Sequence, residues 1–395
     1  MKTTANKNPL DRYTIIFAAL IGSALGALFY NILPMYLGMA QEYRQLSSGQ
    51  IGIVGSIFFL GYNVITISAF YWIRRFDWRL IAAVATPISA IAMGAGAYIQ
   101  SYPILLLSVF IAGGAFSTLY GLTATILGDT SNAARWYGLK IGLEALTGAV
   151  IFLTFPDLVI AKYGFNGFLL ALAGVVVVLS PALLFIPARG IKTQEEELAE
   201  SAGGKSGSTN KAAVFLILFA TMFWFCGQTV MWSFVERLGN AGGHPVDAVG
   251  NVLAVSLLCA LGGSLLAAII GEKLGTLAPF IIASSIFLVS LPVLNNSAEF
   301  IYFFIGACLV MFSVGFGIPY CFTITAALDH DGRYIVLVVP AIGIGAMIAP
   351  AMAGALFNKD NSLPVLGFSA FVVLVSMIFA ISSSRLAKSK LKLAE

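Results

Sequence analysis

Lys140 and Glu144 are the residues of this chain whose types and spacing point most directly to chemistry. A separation of four brings two side chains onto one face of a helix, so an ammonium and a carboxylate would meet there. Thr147 and Ile151 continue that face, while Gly138, Gly142 and Ala149 form a smaller packing face. Burial disfavours an ionised carboxylate and a nearby cation favours it, so a change of solvent access would switch Glu144 between its two protonation states. That is the chemistry of proton coupling. The competing role is structural, with the two charges neutralising each other and bracing the surrounding helices. Asp157 lies further along, after Pro156, near the outer end of the same stretch.

Other chemistries leave little trace. Metal-assisted hydrolysis needs clustered histidines and carboxylates, but the two histidines, His244 and His330, fall in separate loops. Neither H-E-x-x-H nor G-x-S-x-G occurs, so an enzyme is not expected. Cys226, Cys259, Cys308 and Cys321 lie inside apolar runs without metal-ligand spacing and read as packing residues, which leaves no expected metal, disulfide or cofactor. The GGKSGS piece near residue 205 lacks the G-x-x-x-x-G-K-[ST] spacing of a phosphate-binding loop.

The elements that position Lys140 and Glu144 follow from composition. Hydrophobic residues make up 59% of the chain and charged residues 10%, against roughly 25% charged in soluble domains. Mean hydropathy is +0.93. No single core of a 395-residue chain could bury that much apolar surface, so lipid must be its solvent. A membrane helix needs about 20 apolar residues. Twelve such runs are present: Tyr13 to Gln41, Gly49 to Ile73, Leu80 to Ile99, Ile104 to Leu127, Trp136 to Ile160, Phe165 to Ile186, Ala212 to Val235, Val249 to Ile270, Leu277 to Leu294, Phe300 to Leu328, Tyr334 to Phe357 and Leu363 to Ile381. They are apolar throughout, whereas barrel strands alternate, so the expected class is an all-α polytopic membrane protein. The first run is too long for a signal-peptide core and should persist as a helix.

Only the fifth run carries Asp, Glu, Lys or Arg within these limits. Glu144 lies nine residues beyond Arg135 at the border, or roughly 13 Å along a helix. A charge at that depth costs about 2.5 to 3.5 kcal/mol and therefore faces a cavity or a partner.

Lys and Arg concentrate in the tails and alternate loops, including Arg12, Arg74, Arg75, Arg79, Arg135, Arg189, Lys273, Arg333 and Arg385. The opposite loops carry only Arg44, Lys162, Arg237 and Lys359. The bias predicts both termini in the cytoplasm of a multi-pass protein of the inner or plasma membrane. The net charge of +4 reflects this topology and gives no reason to expect nucleic acid. Residues 188–211 form the one long polar segment, a linker dividing a bundle at 1–187 from another at 212–395. Shifting the second half back by 198 positions places Gly250 on Gly52 and Arg333 on Arg135. Two pseudo-symmetric six-helix bundles are expected, an arrangement that rocks between two openings.

The loop after the second run of each half carries a further pattern. Ala268 to Gly275 reads AIIGEKLG, while the first-half copy reads FYWIRRFD, with Arg74 and Asp77 at the positions of an acid and a glycine. Together with the helix count and paired halves, this resembles the major facilitator superfamily of secondary transporters, whose motif at this loop is G-x-x-x-D-R-x-G-R. The resemblance covers essentially the whole chain. It implies a substrate cavity lined by helices one, four, seven and ten, here offering Tyr30, Asn31, Tyr120, Thr123, Trp224, Gln228, Trp232, Phe316, Tyr320 and Thr323. Aromatic walls with a few polar groups suit a small amphipathic organic solute. It also implies a cytoplasmic gate drawing on Arg74, Arg75, Asp77, Asp129, Arg135, Glu272, Lys273, Asp329, Asp331 and Arg333. Gly345, Ala349, Pro350, Ala353 and Gly354 resemble the glycine-proline motif that family antiporters carry on helix five, although here they lie on helix eleven. That likeness leans towards export, while the same small residues also suit close packing.

The expected protein is therefore a monomeric, proton-coupled carrier of a small solute in a lipid bilayer. The alternatives are a channel-like protein, a non-transporting receptor and, least of all, a membrane-embedded enzyme. Asn63 is expected to bond between helices, and Glu236 and Arg237 to occupy the outer rim, with an external gate as the alternative.

Overall fold

The computed structural model describes residues 8–98, 101–131, 133–190, 210–271, 273–329, 334 and 337–394. In chain order its long helices are α1 (Tyr13–Arg44), α2 (Ser48–Trp72), α3 (Trp78–Gly96), α4 (Tyr102–Gly128), α5 (Ala133–Phe155), α6 (Ala161–Leu179), α7 (Lys211–Ala241), α8 (Val246–Ile270), α9 (Leu277–Leu294), α10 (Phe300–Leu328), α11 (Val338–Leu356) and α12 (Leu363–Ala394). Helix is forced on these segments because lipid offers no partner for a bare backbone. Their starts are set by local chemistry. Ser47 and Gln50 form a capping box at α2, Asp77 accepts from the amides of Arg79 and Leu80 at α3, and Asn210 caps α7.

The chain between α5 and α6 looks unbroken at first sight. A π-helical segment, Pro156–Ile160, links the two, so that Arg135–Phe185 forms one apolar span of 51 residues. At 1.5 Å per residue it would reach about 75 Å, far more than the roughly 30 Å of a hydrocarbon core. The reversal lies at Gly164, whose φ of 59° and ψ of −155° belong to no helix and to a region essentially closed to other residues. A Cβ there would also stand 2.7 Å from the ring of Tyr43. The eleven long apolar spans among the described residues thus make twelve crossings. With an even number of crossings, Asn8 and Ala394, the first and last described residues, lie on one face, called here the termini side.

The packing of helices repeats with a shift of six. In the first half α4 packs on α1, α2 and α3, while α1 also meets α5 and α6, and α3 meets α6. In the second half α10 packs on α7, α8 and α9, while α7 also meets α11 and α12, and α9 meets α12. Between halves the pairs are α2 with α11, α5 with α8 and α1 with α7, each converted into itself or another by the same shift. Two six-helix bundles related by a pseudo-two-fold axis account for this pattern.

Two helices run more than one turn past their expected ends. Helix α7 runs on to Ala241 and α12 to Ala394, because charged residues that read as helix ends in the sequence, among them Glu236, Arg237 and Arg385, are accommodated within the helices. Large side chains close the core, with Phe29, Phe58, Phe116 and Phe152 in the first half and Trp224, Trp232, Phe234 and Phe280 in the second.

Candidate functional site

The charges on α5 meet as their spacing requires. Lys140 Nζ lies 2.7 Å from Glu144 Oε1, and both residues are buried. Glu144 lies 11 residues into α5, or about 16 Å, near the middle of a bilayer core. The Ser23 hydroxyl of α1 donates to the same carboxylate oxygen. The Lys140 ammonium also stands 3.7 Å from the centroid of the Tyr120 ring on α4. Asn31 of α1 donates through Nδ2 to the backbone carbonyl of Glu144 at 2.9 Å. An ion pair with a hydroxyl donor and an aromatic face is far better compensated than a bare charge in hydrocarbon.

Around this centre the rings of Tyr62 and Tyr120 approach to 6.2 Å, and Tyr30 stacks across the seam on Phe225 of α7 at 6.2 Å. Ser23, Tyr62 and Phe225 are not legible in the sequence as site residues. Ser23 lies seven positions before Tyr30 on α1 and so on the same face, which is the one available signal.

The remaining cavity candidates divide between the halves. Thr123 is buried and bonds back to the Leu119 carbonyl at 2.8 Å. In the second half Gln228 exchanges hydrogen bonds with Ser313 at 3.1 and 3.2 Å. Tyr320 donates to the carbonyl of Gly271 at 3.0 Å, and Thr323 to that of Pro319 at 2.9 Å. Trp224 and Phe316 are buried against Phe280 and Tyr320 respectively. In this conformation these five second-half residues serve their own bundle, and the polar centre is built by α1, α4 and α5.

A seam on the face opposite the termini joins α1 to α7. Pro34 has no N–H, which leaves the Tyr30 carbonyl without its helical donor. The Trp232 indole fills that place from the other half at 3.0 Å. Nearer the rim Arg237 donates through Nε to Gln41 Oε1 at 2.7 Å and lies 4.7 Å from the Phe234 ring centroid. Glu236 accepts from Asn240 at 2.6 Å and fills the space above Gly38, where any side chain would collide with its carboxylate. At this rim Arg237 is only 5% exposed and Glu236 is largely covered, both at the contact between halves.

On the termini side, Arg74 grips Asp129 through two bonds of 2.7 and 2.9 Å, tying α2 to the end of α4 within the first half. Asp77 caps α3, Arg75 is exposed, and the Arg135 guanidinium lies 5.0 Å from the Trp136 ring centroid. Lys273 donates to the Ile269 carbonyl at 3.2 Å, and Asp329 accepts from the Tyr334 amide at 2.6 Å. Glu272, Asp331 and Arg333 lie outside the described residues.

The small residues of α11 have a plain role. Gly354 abuts the Ser48 carbonyl and the Gly52 backbone of α2, Gly345 abuts the Met222 carbonyl of α7, and a Cβ on Gly52 would collide with the Pro350 carbonyl. Asn63 of α2 reaches the Gly343 carbonyl at 2.7 Å, and Ser56 accepts from the Ala351 amide at 3.0 Å. Of the two readings of this segment, close packing is the one these contacts support.

No family model matches the sequence, and no curated protein matches it either. Solved structures do match in shape. One is the crystal structure of a mutant of the nucleoside transporter NupG, with a TM-score of 0.71 and 12% identity over 94% of this chain and 99% of that one. Another is a bacterial homologue of the human lysosomal transporter Spinster in an inward-facing, unoccupied conformation. It gives a TM-score of 0.66 and 15% identity over 96% of each chain. Identity this low speaks for the fold alone. With twelve crossings, two matched bundles and two such neighbours, the chain has the fold of the major facilitator superfamily.

Proposed function

We propose that this protein is a secondary active transporter that carries a small amphipathic organic solute by alternating access, coupled to protons through Glu144. The observation that carries this reading is a buried ion pair at mid-membrane on α5, the helix that touches both α1 of its own half and α8 of the other. Gly148, one turn beyond Glu144, lies between Asn31 of α1 and Leu257 of α8, so a shift of the halves reaches the charge centre through three helices. The seam at Trp232, Arg237 and Glu236 serves as a gate on the face opposite the termini. The basic tails and loops support a cytoplasmic position for the termini side.

A secondary carrier draws uphill work from an ion gradient. Protonation of Glu144 releases Lys140 to the Tyr120 ring, and deprotonation restores the pair. This alternation gives the two halves a reason to prefer different openings at different proton occupancies.

The test has two stages. Purified protein is screened by thermal shift against nucleosides, the substrates named for one structural neighbour, and against amphipathic metabolites, since a ligand of the folded state raises the melting temperature. The hit is then followed in vesicles, where it should accumulate with an imposed proton gradient and exchange without one. Flux that never saturates would favour a channel, and a hit that binds but neither exchanges nor accumulates would favour a receptor.

A further inference from the structure

Helices α2 and α3 follow each other in the chain, yet each packs on α4. Between them runs a groove of about 450 Å³ on the outer face of the first half, within the range of small-molecule sites. Its floor is made of small residues, Gly61, Gly114 and Ala85, and its lining is almost wholly apolar. Along α2 it extends from Gly61 to Trp72, 11 residues, or about 16 Å. That is half of a roughly 30 Å hydrocarbon core, the depth of one leaflet.

The end nearest the termini side is different in character. Trp72 and Phe76 form its lip, and Phe76 is well exposed. The loop beyond and the first turn of α3 carry three arginines. Arg74 is engaged by Asp129 and Arg79 donates to the Ile186 carbonyl at 3.0 Å. Arg75 is exposed and its guanidinium takes no partner among the described residues. An aromatic lip with an unengaged arginine above a leaflet-deep apolar trench has the polarity profile of a single phospholipid.

We propose that this groove is a binding site for an anionic glycerophospholipid of the termini-side leaflet, with one acyl chain lying along α2 and the phosphate group at Arg75. The choice of an anionic lipid rests on charge complementarity. The unengaged cation lies at headgroup depth, and no carboxylate among the described residues forms an ion pair with it, while Asp77 accepts from the Arg79 and Leu80 amides. The site is independent of the transport reading, because it faces outward from the bundle.

The experiment uses the full chain in nanodiscs containing phosphatidylglycerol or phosphatidylcholine with a photoactivatable acyl chain. Phosphatidylglycerol should label residues of the groove in preference to the remaining lipid-facing surface, and native mass spectrometry should find it retained over phosphatidylcholine. Arg75→Gln should lower that preference about fivefold, the worth of one interfacial cation. Val84→Trp, at a half-exposed wall position, should remove groove labelling while leaving the melting temperature in lipid-free detergent unchanged. Equal labelling by both lipids that ignores Arg75→Gln would mean bulk annular lipid and overturn the proposal. So would labelling concentrated on another face, or unchanged labelling in a folded Val84→Trp variant.

Discussion

Replacing Glu144 by Gln and Lys140 by Met, singly and together, measures how strongly the buried pair is coupled. At 2.7 Å and an effective dielectric near 20, the gross attraction is about 6 kcal/mol. Desolvation of two ions offsets most of it, and breaking such a pair from one side costs about 3 to 5 kcal/mol because a charge is stranded. Two features soften that cost here. Lys140 keeps the Tyr120 ring at 3.7 Å, worth about 1 to 2 kcal/mol. Glu144, left without its cation, can take up a proton and so shed the stranded charge. Each single substitution should therefore destabilise by about 2 kcal/mol, and the double by about 1 kcal/mol, giving an interaction energy near 3 kcal/mol. Reversible denaturant unfolding of the detergent-solubilised protein provides all four values. Additivity within about 0.5 kcal/mol would show the two residues to be energetically independent and would refute the reasoning.

Further outcomes follow from the same geometry. Glu144→Gln should abolish gradient-driven accumulation in vesicles while sparing exchange of substrate down its own gradient, and full concentrative activity would remove Glu144 from coupling. Arg237→Gln deletes a charge-assisted bond across the seam, worth about 1.5 kcal/mol or more. A cysteine replacing buried Ser233 should then react about tenfold faster with an impermeant maleimide from outside, as expected if the open form is a minor state. An unchanged rate would deny the seam its gating role. Gly164→Ala should cost about 1 to 3 kcal/mol through backbone strain, read as a lowered melting temperature, and no loss would contradict the turn described there. Asn63→Ala should cost only about 0.6 kcal/mol, whereas Gly52→Val, facing the Pro350 carbonyl, should cost about 1 to 3 kcal/mol. The reverse ranking in the same melt would argue against backbone contact between α2 and α11.

Much of this architecture is legible because lipid imposes one rule on every crossing, and a run such as Leu277 to Leu294 obeys it visibly. The meeting of Lys140 and Glu144 is legible for the same kind of reason, since it depends on spacing within one helix. What neighbouring helices add is not. Ser23 and Asn31 reach Glu144 only because α1 has a particular rotation and depth against α5, which no single-helix pattern encodes. The length of α7 escapes the sequence because a charge there reads as an end. Arg237 continues the helix because Gln41 and the Phe234 ring receive it. Gln228 and Tyr320 look alike as polar side chains on apolar helices, and only packing shows them turned towards Ser313 and Gly271.

Pro34 gives the seam a thermodynamic consequence of its own. A carbonyl robbed of its helical donor must be hydrated whenever the indole of Trp232 withdraws, so separation of α1 from α7 exchanges an aromatic N–H for a water molecule. Parting the helices and wetting the passage are then one event. The first solvent to enter from that face would be anchored at the Tyr30 oxygen, next in the chain to Asn31, whose amide holds the backbone of Glu144 in place.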